Sequence, residues 1–365
     1  MKQVTIVGGG LAGLALGIGL RRAGIPTLVI ESGRYPRHRV CGEFISGNGL
    51  LWLDSNGLTN ALRKNGALEA RLAVFFHRGR ATPVRRLPHP AICLSRWTLD
   101  ATLAEVFQAE GGQIQTDTRF TGPWTEGIVR ATGRRPATGG TDWRHFGLKA
   151  HVSDLDLNAD LEMHLGRTGY VGLSRVENRR VNVCGLFRSR HPVPGLNESW
   201  KSWLAGPQDS PLAARLASAT WHEESACAVA GLGLAPRSAA SHDELSIGDA
   251  VTMIPPVTGN GMSMAFESAA LATPPVIAWA RGSLTWTDAR RAVAERLDEA
   301  FSSRLRWAAR LQNALFSPSL PALLLAGLEA WPSLWTHLFF LTRSPRHAAQ
   351  IPAPTNFCAK TRSAG

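Results

Sequence analysis

The chain has 365 residues, of which 44% are hydrophobic, and a formal net charge of +12. That hydrophobic content is ordinary for a soluble globular protein, and the length indicates two or three structural units around a sizeable core. The basic residues are scattered in pairs rather than gathered in one long run, which argues against a nucleic-acid partner. Five cysteines form no C-x-x-C pair. They therefore predict neither a zinc site nor a disulfide framework, and they favour a reducing, cytoplasmic compartment.

Three glycines follow the first predicted strand, which covers residues 4–7. Gly8, Gly10 and Gly13 have G-x-G-x-x-G spacing, and apolar residues at helical intervals predict a helix that begins inside this motif. Such glycines allow a tight turn, the approach of a pyrophosphate to the backbone, and close packing of helix on strand. Free N–H groups at the helix start would hold the phosphates.

An acid ends the second predicted strand, which covers residues 27–30 and is followed by Glu31. A carboxylate in that place accepts hydrogen bonds from an adenosine ribose and disfavours an additional 2′-phosphate by charge repulsion. Strand, glycines, helix, strand and acid in this order predict a site for an adenine dinucleotide.

The rest of the first half is predicted to alternate between helices and strands. A Gly- and Pro-rich loop at residues 33–46 precedes a helical region at 50–70, strands at 72–94, a helix at 98–110, and strands at 113–118 and 127–131.

The second half is predicted to begin with strands and to end with helices. The pattern predicts strands at 155–164, 169–173 and 180–186, an irregular Pro-rich segment at 191–211, and helices at 262–271 and 287–315. The most apolar segment, residues 320–341, is broken by charged and Pro residues, so no clean membrane span is expected. The last residues are expected to fray.

A second glycine-rich motif begins at Gly248-Asp249 and continues through Gly259 and Gly261. A carboxylate at a strand end can bind a polyol hydroxyl, and the turn after it opens a helix whose N–H groups face a ligand. Beside the pyrimidine edge of a flavin, such a helix start would stabilise negative charge on the reduced ring. This second motif favours a flavin as the other half of the dinucleotide.

The second motif is spaced as in the G-D motif of class A flavoprotein monooxygenases, on Gly248, Asp249, Pro256, Gly259 and Gly261. Those enzymes and the geranylgeranyl reductases share one FAD fold, and the chain resembles a member of that superfamily. The resemblance implies that Asp249 holds the ribityl chain, that Gly261 and Met262 lie by the isoalloxazine ring, and that Arg96 faces the FAD phosphates. The other predicted cofactor contacts are Gly8, Gly10, Ala12, Gly13, Glu31, Ser32, Arg39, Cys41 and Gly259.

The segment Val40-Cys41-Gly42-Glu43 resembles the geranylgeranyl reductase branch, in which a Cys-Gly pair sits close to the flavin. Cys41 and Glu43 are therefore candidate catalytic residues, with Glu43 as a general acid or base if it is buried beside the flavin. Two plainer interpretations stay open, namely Cys41 as a small buried hydrophobe and Glu43 as the ion-pair partner of Arg37 or Arg39.

Tyr170 and Gly185 echo the Tyr-x-Trp-x-Phe-Pro motif that contacts substrate in the reductase branch, but the Trp and the Phe-Pro are missing. Tyr170 is therefore the candidate substrate residue, and the missing residues favour hydroxylation over double-bond reduction. The Trp-x-Trp-x-Ile-Pro motif of flavin halogenases is absent. The Asp-Gly motif of NADPH-using hydroxylases is not evident where Thr132-Gly133 stands, which leaves the electron donor open.

The expected fold is α/β, and it is divided into three parts. A Rossmann-like FAD-binding domain is predicted at residues 1–70, 95–140 and 236–285, an inserted mixed or antiparallel β-sheet substrate domain at 71–94 and 141–235, and C-terminal helices at 286–365.

The expected function is that of an FAD-dependent monooxygenase that hydroxylates a bulky apolar aromatic, polyketide or lipid-like biosynthetic intermediate. The alternatives are an FAD-dependent reductase of an isoprenoid-like double bond and a non-catalytic flavin protein for electron transfer or sensing. NADH or NADPH is the candidate electron donor. An acyl carrier protein or a flavin-reducing partner is compatible with the positive charge, membrane contact is expected to be peripheral at most, and no metal is expected.

Overall fold

The computed structural model describes residues 1–135, 143–193 and 195–343. Numbered along the chain, the described strands are β1 (Val4–Val7), β2 (Thr27–Ile30), β3 (Phe44–Ile45), β4 (Leu68–His77), β5 (Arg80–Ala81), β6 (Arg85–Cys93), β7 (Gln113–Gln115), β8 (Ile128–Arg130), β9 (Arg144–Ser153), β10 (Leu161–Leu165), β11 (Gly169–Arg175), β12 (Val181–Ser189) and β13 (Thr220–Ala230). The described α-helices are α1 (Leu11–Arg22), α2 (Asn48–Ser55), α3 (Thr59–Lys64), α4 (Arg96–Ala109), α5 (Leu196–Ala205), α6 (Pro211–Ala217), α7 (Gly261–Ala280), α8 (Trp286–Leu315), α9 (Leu320–Ala330) and α10 (Pro332–Arg343).

The smaller sheet has four parallel strands in the order β7-β2-β1-β8. The segment before Gly248 extends it, because the Arg130 N–H donates to the Leu245 carbonyl at 2.8 Å and the Ile247 N–H donates to the Arg130 carbonyl at 2.9 Å. The carboxyl ends of β1, β2, β8 and this segment therefore lie at one edge. Ligands of open parallel sheets bind outside that edge.

Helix α1 packs against β1 and β2 of the smaller sheet, and α4 and α7 both pack on α1. Small residues allow this close approach: a Cβ on Gly17 of α1 would lie 2.8 Å from the ring of Phe107 of α4. Both helices bury their apolar residues in one continuous core that also includes the strands of the sheet.

The larger sheet has nine strands, eight of them in the order β13-β9-β12-β11-β10-β4-β6-β3, with β5 paired to β4. Adjacent strands within this sheet are antiparallel, except β10 and β4, which are parallel. Side chains alternate between its two faces. On β9, Phe146, Leu148 and Ala150 pack with apolar residues of α5 and α6, so the neighbouring odd-numbered residues point to the opposite face.

The last three helices, α8 to α10, cover part of that opposite face. Val293, Leu297, Phe301, Leu305 and Ala308 form the buried stripe of α8. Among the described helices, none is by itself long and apolar enough to span a membrane. Only α8 and α9 taken together reach that length and composition, and they meet at a bend of 112°.

The architecture confirms the predicted α/β fold and corrects four of the predicted elements. The helical region at 50–70 is two short helices, and β4 begins at Leu68 inside it. The strand expected at 155–164 begins only at Leu161. The segment 191–211, expected to be irregular, contains α5.

The fourth correction concerns α7, which continues to Ala280 instead of ending near residue 271. Pro274 and Pro275 lie within it and supply no N–H to the preceding turn. The freed carbonyl of Leu271 accepts a hydrogen bond from Arg296 Nη1 at 3.5 Å, and burial of the apolar faces on both sides of the prolines holds the helix together.

The predicted domain boundaries stay predictions. The boundary between residues 140 and 141 lies outside the described residues, as do Cys358 and the last residues, which are expected to fray. The other four cysteines, Cys41, Cys93, Cys184 and Cys227, are free thiols.

Candidate functional site

The first glycine motif forms the expected strand–turn–helix. Gly8 has φ +108°, and a Cβ there would lie 2.2 Å from the Ala131 carbonyl oxygen. A Cβ on Gly13 would lie 2.0 Å from the carbonyl oxygen of Gly8. A Cβ on Gly10 would meet no atom within 4 Å. The fold therefore requires glycine at the first and third positions, whereas the space beside Gly10 is open, as a pyrophosphate at the start of α1 requires.

The two glycine motifs meet in space. Gly248 has φ +61°, and a Cβ there would lie 2.8 Å from the Cβ of Ala12 in α1. The next side chain, Asp249, is half-buried and has no hydrogen bond or ion pair with any residue that the structure describes. Burial raises the pKa of Asp249 to about 6, although the charges of Arg96 and Arg134 act in the opposite direction. An unpaired, partly buried carboxylate next to the first motif fits an acceptor for ribityl hydroxyls.

Glu31 is held at the end of β2 by several donors. Its Oε2 accepts the Gly9 N–H at 2.8 Å, and Oε1 lies 2.6 Å from Arg37 Nη2 and accepts the Ser32 hydroxyl at 3.1 Å. Burial alone would raise the pKa of Glu31, but the charges of Arg37 and Arg39 outweigh it and lower the pKa. The carboxylate is therefore ionised, beside the backbone of the first motif, where a ribose acceptor is expected.

Arg39 and Arg96 share one buried carboxylate. Arg96 makes two hydrogen bonds with Asp100, at 2.7 and 2.8 Å, and Arg39 Nε lies 3.2 Å from the same side chain. Burial raises the pKa of the nearby Cys41 thiol, and the Arg96 charge opposes that shift. The structure thus brings Arg39, Cys41 and Arg96 together, and both guanidinium groups can turn toward an anionic group.

The loop that carries Cys41 and Glu43 lies on the face of the larger sheet to which Lys149 and His151 of β9 point. Asn182 Nδ2 donates to the Cys41 carbonyl at 3.0 Å, and the Ser174 hydroxyl donates to the Gly42 carbonyl at 3.0 Å. Asn182 and Ser174 are opposite each other on β12 and β11. Two neighbouring strands therefore fix the carbonyls of the loop.

Glu43 is fully buried and has two basic partners on that same face. Its Oε2 lies 2.7 Å from His151 Nε2, and its Oε1 lies 3.3 Å from Lys149 Nζ. The Arg96 N–H donates to Oε1 at 2.9 Å. Burial would raise the pKa of Glu43, but the hydrogen bond with His151 and the charge of Lys149 lower it. The expected pairing with Arg37 or Arg39 is not found, because both arginines pair with Glu31.

His38 completes this cluster toward the surface. Its Nδ1 lies 3.2 Å from Lys149 Nζ, and its ring lies 4.6 Å from that of Trp97. Burial and the Lys149 charge lower the pKa of His38 to about 4. With a neutral His38, the negative charge of Glu43 balances the positive charge of Lys149 in the buried cluster.

The turn of the second motif is built as predicted. Gly259 has φ +59°, α7 begins at Gly261, and Met262 is buried. Asn260 Nδ2 donates to the Thr342 carbonyl at 2.9 Å, which joins this turn to the end of α10.

Tyr170 lies on the sheet face that the C-terminal helices cover. Its hydroxyl donates to Gln312 Oε1 of α8 at 3.0 Å, and its ring centroid is 6.2 Å from that of Phe316. Burial raises the pKa of this phenol well above its ordinary value. Its surroundings are apolar and come from the sheet, the segment before the second glycine turn and the C-terminal helices, including Leu186, Val229, Met253, Val257 and Leu325.

Sequence reasoning did not identify Lys149, His151 or Asn182 as site residues, and it missed Arg343, which lies beside the second glycine turn. Lys149 and His151 alternate along β9, which is a weak sequence signal because it does not say which face points to the site. Their partner Glu43 is more than 100 positions away. The catalytic roles of Cys41 and Glu43 and the substrate role of Tyr170 stay predictions.

Comparison with known proteins agrees with this geometry. Residues 1–142 match the family model of an FAD binding domain. Monooxygenase 1 from Arabidopsis thaliana is 34% identical over 104 residues, which are 28% of this chain and 26% of that protein. The chain therefore matches about a quarter of the length of this curated relative.

Solved structures show the same fold over most of the chain. The flavin-dependent brominase Bmp2 has a TM-score of 0.73 with 16% identity, and covers 97% of this chain and 96% of its own. The probable FAD-dependent monooxygenase pqsL from Pseudomonas aeruginosa has a TM-score of 0.68 with 16% identity, over 90% of this chain and all of its own.

These matches and the two converging glycine motifs confirm FAD as the predicted cofactor. A specific relation to the geranylgeranyl reductases is not shown. The first 142 residues match an FAD binding domain, and the chain as a whole has the fold of FAD-dependent monooxygenases and halogenases.

Proposed function

We propose that this protein is an FAD-dependent monooxygenase that hydroxylates a bulky, largely apolar small molecule in biosynthesis. The observation that carries the proposal is the apolar cluster around Tyr170, which adjoins the turn between Gly259 and Gly261. Residues 1–142 match an FAD binding domain, and the spacing of that turn resembles the second FAD motif of class A flavoprotein monooxygenases. An apolar substrate on this side of the sheet would lie beside the ring end of the cofactor.

When bound, FAD supplies the redox chemistry: two electrons from NADH or NADPH reduce one oxygen atom to water while the other enters the product. The protein binds, orients and excludes water. Asp249 would bind the ribityl chain, while Arg39 and Arg96 would face the phosphates. Glu43 would hold the loop of Cys41 against the sheet, and the wall around Tyr170 would exclude water from the substrate.

Reduction of an isoprenoid-like double bond is the second candidate, because the same apolar wall suits such a substrate. The reductase branch's Trp and Phe-Pro are absent after Tyr170, which favours oxygen chemistry. A non-catalytic electron-transfer or sensor protein is the third candidate. It would not need an apolar substrate wall beside the flavin.

The decisive experiment reduces the FAD-loaded protein without oxygen and then adds candidate aromatic, polyketide and isoprenoid compounds. A monooxygenase should leave the flavin reduced until air is admitted, and then incorporate one atom of labelled oxygen into the product. Reoxidation by a compound in the absence of oxygen would identify a reductase instead. No substrate-dependent change over the whole panel would favour the non-catalytic role.

A separate experiment tests the cofactor site. Asp249→Ala should lower FAD occupancy, because it removes the free carboxylate beside the first motif. Asp243→Ala changes an exposed acid nearby and serves as the control. A fully loaded yellow Asp249→Ala protein would contradict the ribityl role.

The remaining features belong to the same proposal. The positive net charge suits an acyl carrier protein that presents the substrate or a partner that delivers reducing equivalents. The four free thiols suit a cytoplasmic location.

A further inference from the structure

One half-buried cation beside the second glycine turn has no role so far. Arg343 ends α10, and its Nε donates to the Ser46 hydroxyl at 2.9 Å. Its Nη2 donates to the Thr258 carbonyl and lies 3.7 Å from the position of a Cβ on Gly259. The guanidinium carbon is 4.1 Å from the ring centroid of Phe339. Arg343 is thus fixed against the turn by hydroxyl, carbonyl and aromatic groups.

Arg343 has no ion-pair partner among the residues that the structure describes. Burial alone lowers its pKa to about 9, and no carboxylate opposes that shift. The buried Arg304 shows the usual alternative, since it makes two hydrogen bonds with Glu267 at 2.9 and 2.6 Å. Even a partly buried charge without a counter-ion carries a desolvation cost, so an unpaired cation that is held this firmly suggests that a negative group completes the site.

The position of Arg343 indicates where that negative group would lie. The turn at residues 258–260 leads directly into the N-terminus of α7, a helix of 20 residues. The free N–H groups at that end carry partial positive charge. Asn260 binds the carbonyl of Thr342, which fixes the residue before Arg343 to the same turn. A full positive charge and a helix N-terminus therefore flank the same few residues.

We propose that Arg343, together with the N-terminus of α7, stabilises negative charge on the pyrimidine side of the bound flavin and so makes the cofactor easier to reduce. The proposal rests on FAD as the cofactor of the proposed function. Arg343 acts through its charge, across the turn at Thr258 and Gly259, and is a positioning residue rather than a catalytic one. This interpretation gives the C-terminal helices a second task besides covering the sheet.

The test measures the reduction potential of the bound FAD in the full-length protein, without substrate or oxygen, by equilibration with a reference dye. At a fixed potential, Arg343→Gln should lower the ratio of reduced to oxidised FAD by about tenfold, because one nearby charge is lost. For a two-electron couple that ratio corresponds to about 30 mV. Arg343→Lys, which keeps the charge, should stay within about threefold of the parent protein.

Arg85 provides a matched control. Its Nη2 donates to the carbonyls of Leu328 and Glu329 at 2.8 and 3.3 Å, so it also joins the C-terminal helices to the body of the protein. Arg85→Gln should loosen the helices without changing the potential. An unchanged potential in Arg343→Gln, or equal shifts in Arg343→Gln and Arg85→Gln, would overturn the proposal.

Two further outcomes are also decisive. If Arg343→Gln fails to retain FAD, Arg343→Lys must retain it at the parent potential, and a large shift in that variant would refute the role of the charge. If Arg343→Gln changes only the KM for a substrate, the cation serves an anionic substrate and the proposal fails. A parent protein that binds no FAD would instead refute the proposed function.

Discussion

Two regions of the molecule place a buried carboxylate against basic side chains, and they do so in different ways. Glu31 at the end of β2 faces Arg37 and Arg39, whose side chains are 27% and 32% exposed. Glu43 on the larger sheet faces Lys149 and His151, whose side chains are 0% and 2% exposed. The first cluster is open to solvent at its cationic side, whereas the second is closed.

The difference in solvent exposure indicates that one cluster binds a ligand and that the other positions a loop. Partly exposed guanidinium groups can exchange a protein carboxylate for a ligand phosphate with little desolvation cost. A closed pair cannot rearrange without leaving a charge unpaired in the interior. The cluster at Glu31 therefore suits a site that receives a charged ligand, and the cluster at Glu43 suits the fixation of the loop at Cys41 on the sheet.

Removal of one partner from the closed cluster should produce the largest effect. Lys149→Met leaves the Glu43 carboxylate buried without its full positive charge, and the free energy of unfolding should fall by about 3–5 kcal/mol. Urea unfolding of the FAD-free protein measures the change.

The control for this variant is Lys201→Met, which removes an exposed partner of Glu223 and should change the free energy of unfolding by less than about 1 kcal/mol. The double variant Glu43→Gln/Lys149→Met should recover part of the loss, because no buried charge is left unpaired. If Lys149→Met lowered the free energy of unfolding no more than Lys201→Met does, the closed cluster would not hold the loop.

The first glycine motif should show a smaller but more selective effect. Gly10→Ala places its methyl group in open space, so the free energy of unfolding without FAD should hardly change. FAD affinity should nevertheless fall by about tenfold or more, because the methyl group occupies the space of the pyrophosphate. Titration of the apoprotein with FAD, followed by flavin fluorescence, measures the affinity.

Gly13→Ala is the matched variant, because its methyl group would meet the Gly8 carbonyl oxygen at 2.0 Å. It should destabilise the protein even without FAD. Unaltered FAD affinity in Gly10→Ala would show that the open space at the start of α1 does not receive the cofactor.

A further expected effect is an opposite pH dependence of stability at Asp249 and at His38. Asp249 has a pKa of about 6 in the folded protein against an ordinary 3.8. The folded state therefore binds more protons between these values, and the free energy of unfolding falls as pH rises from about 4 to about 6. His38 has a pKa of about 4 against 6.5, so the unfolded chain binds more protons and stability rises with pH over that interval.

The two contributions can be separated by substitution in the FAD-free protein. Asp249→Asn should remove the contribution of Asp249, which lowers the free energy of unfolding as pH rises. The free energy of unfolding should then rise more steeply with pH than in the parent protein. His38→Gln should make the rise shallower. Unfolding curves at pH 4, 5, 6 and 7 measure both slopes, and a parallel pH profile for either variant and the parent would contradict its assigned pKa shift.

The glycine motifs could be predicted from sequence because their geometry is local. Gly8, Gly10 and Gly13 span six residues between a strand and a helix, and Glu31 ends the next strand along the chain. The meeting of Gly248 with Ala12 followed from the same fold, since the carboxyl ends of parallel strands share one edge.

The closed cluster and Arg343 could not be predicted in this way. Glu43 meets His151 across 108 positions, and Arg343 meets Ser46 across 297. Such contacts depend on strand order and on where α10 ends, neither of which has a local pattern. The continuation of α7 through Pro274 shows the same limitation, because tertiary packing overrides the local preference for a break.

The alternation along β9 also protects the assembly of the larger sheet from error. Lys149 and His151 face the loop at Cys41, while Leu148 and Ala150 face α5 and α6. A shift of β9 by one residue against β12 would place the Lys149 ammonium group in the apolar core under α5 and α6. It would also leave the Glu43 carboxylate without its cation. The same side chains that fix the loop thereby discriminate the native strand pairing from its nearest competitor while the chain folds.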